Sequence, residues 1–275
     1  MKFKKIAAII TAGVVALSLA ACNAANKADA KNNKQLVVGA SNVPHAEILE
    51  QVKPILAKEG IDLKIEKFQD YVLPNKALAS KELDANYFQH IPYLKAQMKQ
   101  FGYKFENAGG IHIEPIGVYS KKYKSLKQLP NKATIIMSNS VADHGRMLTL
   151  LQQEGLIKLK PGIDTTTATI KDIVSNPKHL QFQANVDASL LPKVYKNGEG
   201  DAVLINTNYA IDAGLNPLKD AIALEGKNSP YVNIIAVRKG DKNKPEIKAL
   251  VNALHSKQIQ DWIIKKYKGA VVPVN

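Results

Sequence analysis

The stretch Gln35–Phe68, QLVVGASNVPHAEILEQVKPILAKEGIDLKIEKF, decides the fold. QLVVGA (35–40) is a short apolar run ending in Gly and Ala, a strand signature. Ser41, Asn42 and Pro44 then mark a helix start, with proline near the first turn. Ile48, Leu49, Val52, Ile55 and Leu56 recur at helical spacing, so one face of this helix is predicted to be buried. Pro54 is expected to kink it. Gly60 ends it, and Leu63, Ile65 and Phe68 give a second strand. Strand, helix and strand in this order form a βαβ unit, which implies a parallel pair joined by a right-handed crossover.

The alternation continues outward. Helices are expected at 74–80, 91–101, 141–154, 245–254 and 258–267. Strands are expected at 85–88, 113–119, 133–137, 180–184, 202–206, 221–225 and 232–237. The pattern is that of an α/β protein.

The N-terminus is an address. Lys2, Lys4 and Lys5 precede an uncharged, mostly apolar run from Ile6 to Ala21, which ends Leu19-Ala20-Ala21-Cys22. A basic start, an apolar middle and small residues before a cut site make a secretory signal. Cys22 is the one cysteine of the chain, and its position matches a bacterial lipobox. The apolar run is shorter than the roughly 20 residues of a spanning helix. Residues 1–21 are therefore expected to be a lipoprotein signal peptide. Cys22 is then the acylated N-terminus, and 22–34, rich in Asn, Ala and Lys, a flexible tether with a reach of about 20 Å. The body would sit at the extracytoplasmic face of the cell membrane.

Composition narrows the function. The chain has 275 residues, 38 Lys+Arg against 24 Asp+Glu, and a net charge of +14. A single cysteine excludes an internal disulfide and a cysteine-based metal cluster. Only Arg146 and Arg238 are arginines; the other 36 basic residues are lysines. Nucleic-acid binders lean on Arg for bidentate contacts, so this balance favours attraction to an anionic surface. Cleavage after residue 21 removes three Lys and no acid, which leaves 254 residues and +11.

No phosphate-binding, nucleophile-elbow, zinc-protease or dinucleotide motif is present, so no enzyme is expected. His112 and Glu114, two apart, suit either a metal or a plain polar strand edge. Asp143-His144 has half the form of a catalytic dyad, without a placed nucleophile.

Four stretches fit a binding site. Asp84–Tyr93 (DANYFQHIPY) crowds Phe88, His90 and Tyr93 at a strand-to-helix junction, where aromatics can wall an apolar pocket or simply pack, with His90 as a cap. Ser138–Arg146 (SNSVADHGR) opens a helix, with Ser140 and Asp143 spaced like a capping box. Arg146 there offers a planar fork to a carboxylate. Asn206 in INTNYA and Asn233 in SPYVN stand at strand boundaries, where an amide can serve a ligand or a turn.

The stretches HAEILEQVKP, DYVLPNKAL, LDANYFQHIPYL, YSKKYKSLKQLP, GLIKLK, INTNYA, AGLNPLKDA and SPYVNII resemble the NlpA-type lipoprotein family from about Gln35 to Lys239. The resemblance implies a two-lobed fold like that of the periplasmic binding proteins, with a ligand cleft between lobes. The lobes would be 35–117 plus 233–275, and 118–232. It implies a monomeric substrate-binding lipoprotein of an ABC importer, without a cofactor or metal. Such a protein captures L-methionine or a close relative and delivers it to a permease. Tyr71, Phe88, His90 and Tyr93 would hold the methionine side chain, Arg146 the carboxylate, and Asn206 and Asn233 the amino-acid backbone. The loop before Arg146 departs from the family's PNDPTN-type pattern: its prolines are gone and Asp143 replaces an Asn. Asp143 could disfavour the ligand carboxylate or pair with an ammonium. A Met-containing dipeptide or another amino acid therefore stays open as ligand, and a surface adhesin as the reading from another class.

Overall fold

The computed structural model describes residues 34–226 and 228–274. The signal peptide, Cys22 and nearly all of the expected tether lie outside these residues. Among the described residues no helix is long and apolar enough to cross a membrane.

The opening unit forms as expected. β1 (Lys34–Ser41) and β2 (Ile61–Phe68) are parallel, with α1 (Glu47–Lys58) between them. The regular helix starts later than its Pro44 signal, after an irregular turn over Asn42–Ala46 in which Val43 is extended. α1 runs on through Pro54, which lies on its exposed face, where water can take the carbonyl that proline frees. Ile48, Leu49, Val52 and Leu56 are buried.

α2 (Leu73–Ala79), β3 (Ala85–His90), α3 (Ile91–Phe101) and β4 (Phe105–Ile113) follow. The strand expected over 113–119 is not continuous. β4 ends at Ile113, Glu114–Ile116 break the ladder, and β5 (Gly117–Tyr119) belongs to a different sheet. Pro115 has no N–H for a ladder, so the chain leaves the first sheet here.

The second sheet then forms from β5, β6 (Thr134–Ser138) with α4 (Val141–Gln153) after it, β9 (Gln181–Val186), β10 (Ala202–Ile205) and β11 (Ala223–Leu224). A two-stranded ribbon of β7 (Lys158–Leu159) and β8 (Ile173–Ser175) and the short helices α5 (Leu191–Lys196), α6 (Thr207–Asp212) and α7 (Pro217–Asp220) complete this part. The chain returns to the first sheet as β12 (Val232–Arg238), and ends in α8 (Pro245–Leu254), α9 (Lys257–Tyr267) and β13 (Val272–Pro273).

The first sheet runs β13-β4-β12-β3-β1-β2 and the second β11-β5-β10-β6-β9. Both are mixed: β12 is antiparallel to β3 and β4, and β5 to β10. Each sheet has its own core. Leu36, Val38, Leu49, Leu250 and Ile263 pack on the first; Ile135, Met147, Leu148 and Leu204 pack on the second. A fully buried side chain of this kind contributes about 1.5–3 kcal/mol. Two sheets, two cores and helices around them make the two-lobed α/β fold. The connections 114–116 and 225–231 pass between the sheets, and polar groups collect around them.

Candidate functional site

One cavity lies where the first of these connections meets the ends of β3 and β10 and the start of α4. Tyr71, Phe88, His90, Tyr93, Arg146, Asn206 and Asn233 all line it. Gln89, Glu114, Asp143, Thr207 and Asn208 line it too.

One end is aromatic. Tyr71, in the loop before α2, has ring centroids 6.0 Å from Phe88, 5.9 Å from Tyr93 and 4.9 Å from Tyr209. The Tyr71 hydroxyl donates to Asn208 Oδ1 at 2.6 Å, and the Tyr93 hydroxyl donates to the Tyr71 carbonyl at 2.9 Å. Hydroxyls paired at the rim leave ring faces for an apolar guest.

The other end is charged. His90 ends β3 and caps α3: its Nδ1 accepts from the Tyr93 N–H at 3.1 Å. The hydrogen is therefore on Nε2, which donates to Asp143 Oδ1 at 2.9 Å. His90 thus both caps a helix and lines the cavity. Ser140 is the N-cap of α4, but no capping box forms, because the Asp143 carboxylate is turned to His90 instead. Burial pushes the Asp143 carboxyl upward, but the hydrogen bond and proximity of His90, then Arg146, hold it below the usual carboxylate range. His144 points elsewhere, to the Ser138 carbonyl at 2.9 Å, so Asp143-His144 is no dyad.

Arg146, one turn into α4, is buried. Its Nε and Nη2 both reach Glu225 Oε2, and Nη2 donates to the Glu114 carbonyl at 2.6 Å. Glu225 also accepts from the Ile116 N–H at 3.1 Å. Arg146 therefore holds both inter-sheet connections. The Nε–Nη2 edge that would grip a ligand carboxylate is occupied by Glu225; Nη1 makes no hydrogen bond among the described residues but faces Asp143 Oδ1 at 4.0 Å. Burial opposes the guanidinium charge, but Glu225 and Asp143 raise its pKa further.

Asn206, the N-cap of α6, points Nδ2 at Asp143 Oδ2 at 3.4 Å, while its buried Oδ1 has no partner among the described residues. Asn233 lies on β12 between His90 on β3 and His112 on β4. Its Oδ1 meets His45 Nε2 at 3.0 Å.

The sequence pattern offers Glu114 only as a metal or strand-edge residue and does not single out Glu225, Gln89 or Asn208. Glu114 beside a strand-breaking proline was the available signal. Glu225 had none, since its partner is 79 residues away.

The chain matches the family described as NlpA lipoprotein over residues 36–275. It is 54% identical over 269 residues to the methionine-binding lipoprotein MetQ of Bacillus subtilis, covering 97% of this chain and 96% of that protein. It is 39% identical over 271 residues to the D-methionine-binding lipoprotein MetQ of Escherichia coli, covering 98% of each. A solved nutrient binding protein from Burkholderia cenocepacia, bound to methionine, is 48% identical and superposes with a TM-score of 0.82, covering 87% of this chain and all of that one.

Proposed function

The chain belongs to the NlpA lipoprotein family, and on that premise we propose that it is the substrate-binding lipoprotein of an ABC importer. It captures L-methionine, or a close relative, between its lobes and hands it to a membrane permease. No bond is made or broken. Lobe I comprises 35–117 plus 233–275 and lobe II 118–232; the division of strands between the sheets supports these limits to within a residue or two. Cys22 carries the lipid that keeps the protein, a monomer, at the extracytoplasmic membrane face.

The observation that carries the reading is the cavity's polarity. Three aromatic rings, one guanidinium, two carboxylates and several side-chain amides line the same cavity. The methionine side chain lies against Tyr71, Phe88 and Tyr93, with the His90 ring, bonded to Asp143, beside Tyr93. Its carboxylate takes Arg146 Nη1, which Glu225 leaves without a hydrogen bond although Asp143 Oδ1 lies 4.0 Å away. Its amino group takes the unpartnered Asn206 Oδ1, beside Asn233.

Thermal unfolding of the mature protein against L-methionine, D-methionine, methionyl dipeptides and the other amino acids tests the reading. A ligand at one hundred times its Kd stabilises by about 2.7 kcal/mol. L-Methionine is expected to give the largest shift. Silence across the whole panel, with salt-sensitive adsorption to anionic vesicles, would instead favour the adhesin.

A further inference from the structure

We infer that Glu114 is the anionic seat for the ligand's ammonium group, and that His45, His112 and Tyr87 behind it are positioning residues that aim its carboxylate. The site then selects ligands with a free amino group. This rests on the amino-acid reading above and adds the residue that enforces it.

Glu114 stands in the first connection between the sheets, 5% exposed, and lines the cavity. Its Oε1 meets His112 Nε2 at 2.7 Å and His45 Nε2 at 3.1 Å. The Tyr87 hydroxyl sits against His112 Nδ1. A phenol at neutral pH has a proton to give, so Nδ1 accepts it and the His112 hydrogen is on Nε2. His45 Nε2 faces two oxygens, Glu114 Oε1 and Asn233 Oδ1 at 3.0 Å, so it too carries the hydrogen. Every donor in the chain points toward Glu114. The three side chains place ligand-type atoms within 4.8 Å of one another. With both Nε2 atoms donating, the arrangement is that of two hydrogen bonds to one carboxylate oxygen.

These contacts hold the carboxylate without balancing its charge. Burial depresses His45 to about 4 and His112 to about 3, so both are neutral at physiological pH. Arg146 gives its hydrogen bonds to Glu225 and to the backbone carbonyl of Glu114, not to its carboxylate. Burial pushes the Glu114 pKa up and outweighs the nearby Arg146 charge and the Asn208 N–H, which pull it down, because a buried carboxylate without a cation in direct contact is costly. An ammonium in the cavity supplies that cation. It carries three hydrogens, and Glu114, Asn206 Oδ1 and Asn233 Oδ1 are acceptors in the same wall.

Isothermal titration of the wild-type protein with L-methionine and with its 2-hydroxy analogue tests this, since the pair differ by ammonium against hydroxyl at nearly equal size. The analogue is expected to bind roughly a hundred-fold more weakly, as when a buried charge contact is lost. Glu114→Gln should weaken methionine binding at least about ten-fold and close most of the gap to the analogue. His112→Leu should narrow the same gap, and His112→Gln, which keeps a donor toward Glu114, should restore it. A merely structural role would weaken both ligands equally. Equal binding of the two ligands to the wild type overturns this inference alone, as does Glu114→Gln with an unchanged Kd. Absence of binding across the whole panel of amino acids and dipeptides overturns the amino-acid reading and this inference with it.

Discussion

His90 on β3 and Asp143 on α4 face each other across the cavity, Nε2 donating to Oδ1 at 2.9 Å. The pair joins an element of the first sheet to a helix packed on the second, so it contributes only while the lobes are together. Asp143→Ala removes this bond and leaves two buried donors, His90 Nε2 and Asn206 Nδ2, without an acceptor. A hydrogen bond to a charged group is worth about 1.5–3 kcal/mol. Methionine affinity by calorimetry should therefore fall about ten- to hundred-fold. Asp143→Asn keeps an acceptor for His90 and should lose much less. Equal losses in the two variants would mean that the carboxylate charge, not the bridge, sets affinity.

Arg146 and Glu225 form the second buried pair, and here stability and binding separate. Arg146→Ala strands the Glu225 carboxylate, which costs roughly 3–5 kcal/mol. It also removes the proposed carboxylate contact, lowering affinity ten-fold or more. Adding Glu225→Gln to Arg146→Ala should recover part of the stability but none of the affinity. Urea unfolding and calorimetry on the single and double variants check both halves. Affinity that returns with Glu225→Gln would remove Arg146 from the ligand contacts.

Much of this was legible because it is local. The βαβ opening follows from the periodicity of 35–68, and the aromatic end of the cavity from the crowding in 84–93. The missed elements depend on partners distant in sequence. β4, FENAGGIHI, shows no clean alternation, because a side chain at Gly109 would meet Val251 of α8 and the ladder to β12 is irregular there. The Ser140–Asp143 spacing read as a capping box, but His90, 53 residues away, takes the carboxylate. Glu114 and Glu225 belong to the cavity region because the chain passes between the sheets twice, which no spacing of residues records.

Gly145 sets the seat of Arg146. A methyl group at this position would overlap the carbonyl oxygen of Thr165, so the α4 backbone rests directly on that loop. In an open helix, Gly→Ala stabilises by about 1 kcal/mol. Here the clash is with backbone, which cannot rotate away, so Gly145→Ala should lower the melting temperature and weaken methionine binding as Arg146 moves with its helix. A variant as stable as the wild type would show that the 165–166 loop yields freely.

The buried histidines give stability a pH dependence of known sign. His45 is held down to about 4 and His112 to about 3, against an unfolded value near 6.5. Below pH 6.5 the unfolded chain takes up protons that the folded protein refuses until about pH 4 and 3. Stability therefore falls as pH falls through that window, by up to about 1.4 kcal/mol per pH unit for each histidine. Glu114, whose pKa burial raises, works the other way, because the folded state binds its proton first on acidification. Asp143, held low, adds a further loss only below its ordinary value near 4. The melting temperature should drop steadily from pH 7 to pH 5, and His112→Gln, which does not titrate, should flatten that slope by about half. A His112→Gln variant whose pH slope equals that of the wild type would mean that the His112 imidazole is not neutral in the folded protein.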